Sequence, residues 1–124
     1  MEKEKTVLFS EAGEIISKGL HPFFSKKGFK LFTVKNLKET LLTLQDQRFD
    51  ALVIDAALLE DDFGFISVIK GIEKDLPIII CAEMNTPELE SKIRQQKIFY
   101  YHIKSFGIED LEMAISNAIN GLSQ

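Results

Sequence analysis

Asp50-Ala51-Leu52-Val53-Ile54-Asp55 is a short apolar run, centred on β-branched residues, that stops on a carboxylate. A continuous apolar run of this length predicts a strand buried on both faces, the kind found inside a parallel sheet. In an open α/β sheet the functional crevice lies outside the carboxyl ends of the strands. A strand ending in Asp55 therefore delivers an acid to the place where such folds do chemistry.

Similar runs lie on either side. Thr6-Val7-Leu8-Phe9 leads into Ser10-Glu11-Ala12-Gly13, and further strands are expected over 29–34, 76–82 and 99–103. Between them, apolar residues recur at helical spacing. Ile15, Ile16, Leu20, Phe23 and Phe24 precede Gly28, a residue suited to ending a helix. Pro22 falls inside that helix and predicts a kink or an early end. Asn36, with Glu39 three residues on, forms a capping-box pattern ahead of Leu37, Leu41, Leu42 and Leu44. Phe65, Ile66, Ile69 and Ile72 mark a third helix. Thr86-Pro87-Glu88 supplies an N-cap, a first-turn proline and a dipole-favourable acid before Leu89 and Ile93. Leu111, Ile115, Ala118, Ile119 and Leu122 mark the last helix. Five βα units with short connections imply a parallel sheet with helices on both faces.

Size and charge narrow the function classes. At 124 residues the chain is one domain, 1–124, either free-standing or cut from something longer. Nineteen acids against 15 bases give a net charge of −4, which argues against nucleic acid as the partner. No apolar run is long enough to span a bilayer, and Met1-Glu2-Lys3-Glu4-Lys5 lacks the apolar segment of a signal peptide. No membrane partner is expected, and a reducing cytoplasm is the simplest location. The single cysteine, Cys81, supplies neither an internal disulfide nor a metal-ligand pattern and reads as a small buried apolar residue.

The strand ends give the crevice its residues: Ser10 and Glu11, Asp55, Ala82 and Glu83, and Lys104. Asp55 and Glu11 could hold Mg²⁺, a cation bound through one or two carboxylates plus waters. Asp55 could then attack a phosphoryl donor, with Lys104 countering charge on the phosphoryl oxygens.

On these residues the chain resembles the receiver domain of two-component response regulators, over nearly its whole length from Lys5 to about Leu122. The resemblance implies a flavodoxin-like (βα)5 fold with strand order 2-1-3-4-5, phosphorylated on the Asp ending the third strand, here Asp55 in Leu52-Val53-Ile54-Asp55. The family's lysine after the fifth strand matches Lys104, in Tyr101-His102-Ile103-Lys104-Ser105-Phe106. Its aromatic switch residue matches Tyr101, and Phe63-Gly64-Phe65 after Asp62 is similar to the Asp-Gly-Phe opening its third helix. Protein partners follow: a histidine kinase, an output domain or a second copy.

Several positions depart from the family pattern. The two adjacent acids after the first strand are Ser10 and Glu11, which removes one carboxylate. The hydroxyl residue ending the fourth strand is Ala82, or Cys81 after a one-residue slip; neither is a useful donor. Leu59 and Ser105 stand where the family has prolines. The expectation is a degenerate receiver: non-enzymatic, without Mg²⁺, and binding a protein partner through the surface of helix 4, strand 5 and helix 5. The alternative is a working phosphoacceptor with Mg²⁺.

Blander readings stand beside these. Asp55 could cap a turn, Glu11 could be a solvated loop residue, and Lys104 could pair permanently with Asp55. Glu60-Asp61-Asp62 reads as favourable charge at a helix start. His21 and His102 lack metal-ligand spacing. A flavodoxin-like redox protein is a third possibility, because Ser10-Glu11-Ala12-Gly13 resembles a flavin mononucleotide phosphate loop, although Glu11 and Glu14 would oppose the phosphate.

Overall fold

A computed structural model describes residues 4–60 and 62–121. Its elements alternate: β1 (Thr6–Ser10), α1 (Ile15–Lys27), β2 (Lys30–Val34), α2 (Leu37–Asp46), β3 (Ala51–Asp55), α3 (Gly64–Ile72), β4 (Ile78–Ala82), α4 (Pro87–Arg94), β5 (Tyr100–Ile103) and α5 (Ile108–Ile119). The strands are parallel, in the order β2-β1-β3-β4-β5. This is the expected flavodoxin-like arrangement.

The apolar strands are explained by what covers them. Alternate residues Val7, Phe9, Ala51, Val53, Ile79 and Cys81 pack with Leu20 and Phe24 of α1 and with Leu111 and Ile115 of α5. The intervening residues Leu8, Leu52, Ile54, Ile78 and Ile80 pack on the other face with Leu44, Ile66, Ile69 and Ile93 of α2, α3 and α4. With both pleat faces covered, no strand position needs to be polar. Each fully buried Ile or Leu contributes about 1.5–3 kcal/mol. Asp50 fastens the start of β3 to β1, accepting a 2.8 Å hydrogen bond from the Thr6 amide.

Local signals account for three helix ends. Gly28 closes α1 in the left-handed region at φ 72°, where its N–H reaches the Phe24 and Ser25 carbonyls. Asn36 Oδ1 accepts from the Glu39 amide at 2.8 Å, and Glu39 Oε1 accepts from the Lys35 amide rather than that of Asn36. Thr86 caps α4 through the Leu89 amide.

Two sequence expectations are corrected. Pro22 does not end α1, which runs 13 residues through it. Pro22 and Lys18 are both exposed, so the Lys18 carbonyl freed by the missing N–H faces water. Ile15 and Leu42 do not join the core; Ser17 and Thr40 occupy buried positions on the same helices. Of the acidic run, Asp62 gives the charge expected at the start of α3, its Oδ1 accepting from the amide of Gly64, the first helical residue, whereas Glu60 ends a 3-10 turn over Ala56–Leu59. Asp61 and Leu122 lie outside the described residues.

Candidate functional site

Register carries the candidate residues to one end of the sheet. Ser10 pairs with Ile54, Asp55 with Cys81, and Ala82 with Ile103. Asp55 at the end of β3 therefore emerges together with Glu83 and Lys104, the residues that follow β4 and β5.

Lys104 Nζ donates to Asp55 Oδ2 at 3.1 Å and to Glu83 Oε1 at 3.4 Å. The side chains of Asp55 and Lys104 are 18% and 27% exposed, so the pair is partly shielded, whereas Glu83 stands in solvent. Burial alone would lower the pKa of Lys104, but its hydrogen bonds and charge interactions with Asp55 and Glu83 outweigh this and raise it. Lys104 is thus a fixed cation between two acids. The other carboxylate oxygen, Asp55 Oδ1, accepts from the Ala57 amide at 3.0 Å, so Asp55 also caps the turn that follows it.

Glu11 lies elsewhere. It is 2% exposed, and its carboxylate is directed at the start of α1. Oε2 accepts from the Ile16 amide at 3.0 Å, and Oε1 accepts from the Ser17 amide and the Ser17 hydroxyl, both at 2.9 Å. The residue in the N-cap position, Glu14, is left-handed at φ 56° and contributes no side-chain cap. Glu11 supplies that cap from three residues earlier, satisfying amides that would otherwise lack partners. Ser10, in the other acid position, shares a buried 2.7 Å hydrogen bond with Thr40 of α2.

These contacts commit the carboxylate of Glu11, one of the two expected metal ligands, to the start of α1. Among the described residues no group of three or more His, Cys, Asp or Glu side chains is arranged to hold one. The donors left at the crevice, Asp55 and Glu83, are already shared by Lys104. As placed, these residues do not fit Mg²⁺, which needs near-octahedral oxygen ligation. The same contacts oppose a flavin phosphate loop, because Glu11 occupies the Ile16 and Ser17 amides that a phosphate would use.

Ala82 ends β4 almost fully buried, with a methyl group in place of a hydroxyl. Tyr101 Oη donates to the Met84 carbonyl at 3.0 Å, fastening β5 to the loop between β4 and α4. Burial, and then the charge of Glu90, raise the Tyr101 pKa, so the phenol remains a donor. Cys81, paired with Asp55 in the register, is buried; burial first, and then Asp55, push its thiol up to about 12 despite the opposing charge of Lys104. Leu59 is also buried and fills the core beneath the 3-10 turn. Sequence reading missed Ser17 and Thr40, the partners of Glu11 and Ser10. Hydroxyls on otherwise apolar helix faces were the available signal.

No protein-family model matches the chain, and no curated protein matches it. Solved structures do. A response regulator from Thermotoga maritima superposes with a TM-score of 0.84 at 19% identity, covering 95% of this chain and 99% of that one. The signal receiver domain of an HD domain-containing protein from Pseudomonas fluorescens Pf-5 gives 0.84 at 19% identity, covering 98% and 90%. The beryllofluoride-activated NtrC4 receiver domain, solved as a dimer, gives 0.82 at 22% identity, covering 94% and 97%. The chain has the fold of response regulator receiver domains. No helix among the described residues is long and apolar enough to cross a membrane.

Proposed function

We propose that the chain is a degenerate receiver of two-component type, a non-enzymatic module that binds a protein partner through the surface of α4, β5 and α5 without being phosphorylated. The supporting observation is the pairing of Lys104 with Asp55 and Glu83 while Glu11 is committed to α1. A phosphoryl switch needs charge that changes on phosphorylation. Here the cation already has its anions, and Ala82 cannot donate to a phosphoryl oxygen. The Tyr101–Met84 hydrogen bond favours one arrangement of β5 and the β4–α4 loop, and Met84 and Met113 offer exposed apolar contacts. The partner classes that suit such a surface are a histidine kinase, an output domain or a second copy.

The alternative is a phosphoacceptor. Its support is that the Asp55 side chain is not fully enclosed, and that a similar response regulator from Burkholderia pseudomallei was solved with a phosphorylated aspartic acid and a calcium ion. In that reading an Asp55 oxygen forms the new bond to phosphorus as the donor's leaving group departs, and Lys104 exchanges its carboxylate partner for the phosphoryl oxygens.

Incubation with acetyl phosphate and Mg²⁺, followed by intact-mass spectrometry, separates the two. The proposal expects no phosphoryl adduct. An adduct formed by the wild type and absent from Asp55→Asn would replace it with the alternative.

A further inference from the structure

A pocket of about 400 Å³ lies where α3 and α4 end. Lys74 and Asp75 lead into β4 and Lys97 leads into β5, so this pocket sits at the amino ends of those strands, away from the crevice at Asp55. Its charged residues are Lys70, Lys74, Lys97 and Asp75, and Ser67, Gln95 and Gln96 complete the lining. Three cations against one acid is an uneven balance in a chain whose net charge is −4. None of the three lysines forms a salt bridge among the described residues; Lys70 Nζ donates to the Leu76 carbonyl at 3.0 Å. Burial lowers the pKa of Lys70, and Asp75 only partly opposes this, so its ammonium is partly desolvated with no carboxylate in contact. A cation in the last turn of a helix ordinarily answers the helix dipole, as Lys70 does for α3 and Lys92 and Arg94 do for α4. Lys74 and Lys97 lie beyond both helices and have no such role. Lys97 also takes a left-handed backbone at φ 54°, where glycine is the easier residue. Ser67 Oγ donates to Gln96 Oε1 at 2.8 Å, which joins the two walls and leaves the Gln96 NH₂ group available as a donor.

We propose that this pocket binds a compact, multiply charged phosphate anion of the pyrophosphate class. Its volume falls within the roughly 300–1,000 Å³ of small-molecule sites. No aromatic or large apolar side chain lines it, so a nucleobase would find nothing to stack on, and the recognised part of the ligand is the anion itself. Lysines are point charges without the flat fork that arginine offers a carboxylate, which suits them to phosphate oxygens. An anion charged at two centres can meet Lys70 and Lys74 on one wall and Lys97 on the other, and so outweigh the repulsion of Asp75. Ser67 and the glutamine amides supply neutral donors beside them. Bound there, the anion bridges α3 to the segment that leaves α4. It thereby steadies α4, one side of the partner surface proposed above, without touching the crevice. The assignment does not depend on whether Asp55 accepts phosphate.

Amide NMR of the full chain, titrated with sodium pyrophosphate at low ionic strength in EDTA, tests this, with sulfate and citrate as parallel arms. The expected result is saturable shifts centred on Ser67, Lys74, Gln96 and Lys97, weakened by added NaCl. Lys74→Gln and Lys97→Gln should each weaken binding roughly 3-fold, the effect of losing one exposed ion pair, and Lys74→Glu with Lys97→Glu should abolish it. Both side chains are exposed, so circular dichroism should be unchanged. Asp55→Asn should bind as the wild type does, which separates this site from the crevice. Shifts that never saturate, shifts centred on Lys104, or binding that survives the double reversal would each overturn the proposal. Sulfate or citrate binding as tightly as pyrophosphate would reveal a general attraction for anions, and would overturn it too.

Discussion

Removing the Glu11 carboxylate distinguishes a structural acid from a metal ligand by the sign of its effect. In Glu11→Ala the Ile16 and Ser17 amides and the Ser17 hydroxyl lose their acceptor in a site only 2% exposed. Loss of a helix cap costs about 0.5–2 kcal/mol, and hydrogen bonds to a charged group about 1.5–3 kcal/mol each, with much overlap among the three. A destabilisation of about 3 kcal/mol is expected, lowering Tm by roughly 10–15 °C for a domain of this size. Glu11→Gln retains one acceptor oxygen but turns an NH₂ group towards donors, so about half that loss is expected. Urea unfolding followed by circular dichroism, with EDTA and then with Mg²⁺, measures it. An acid kept for a metal behaves in the opposite way: the metal-free protein is relieved by the substitution, and only the wild type gains stability from Mg²⁺. Variants as stable as wild type in EDTA, combined with Mg²⁺ stabilisation of wild type alone, would refute the capping role.

His102 is buried and its Nδ1 has no partner among the described residues; burial lowers its pKa, and Asp110 only partly opposes this. Its neutral form is favoured by folding, so the contribution is present above the unfolded pKa of about 6.5 and is lost as pH falls through the folded value. Stability measured from pH 7 to 5 should fall more steeply for wild type than for His102→Gln. Cys81 should react with iodoacetamide at pH 8 only as fast as the chain opens, because its thiol is buried and pushed up to about 12; rapid labelling of the native chain would contradict its placement. Tyr101→Phe removes the hydrogen bond to Met84 and should cost about 1 kcal/mol in urea unfolding, with faster amide exchange confined to 83–86.

The fold was legible because the inner strands β1, β3 and β4 had to be apolar on both faces and each helix on one, and the continuous apolar runs stand out in 6–10, 51–55 and 78–82. The positions of Asp55 and Lys104 followed from the same logic, since Asp55 ends β3 and Lys104 immediately follows β5. The direction of Glu11 did not follow. Its place beside the crevice could be read from the chain, but the turn of its carboxylate into α1 depends on Glu14 adopting a left-handed backbone without capping the helix itself. Pro22 did not bring the early end expected of it, for a related reason. Its cost depends on whether the freed carbonyl faces water, and that is a property of the tertiary structure.

The central claim is that the crevice is already set: Lys104 on Asp55, Glu11 on α1, and Tyr101 on Met84. Amide NMR during titration with Mg²⁺ and beryllofluoride, a phosphoryl mimic, tests it most directly. The account predicts that resonances of Asp55, Lys104 and Tyr101 stay where they are at millimolar Mg²⁺. Saturable shifts centred on those residues, abolished by Asp55→Asn, would contradict it.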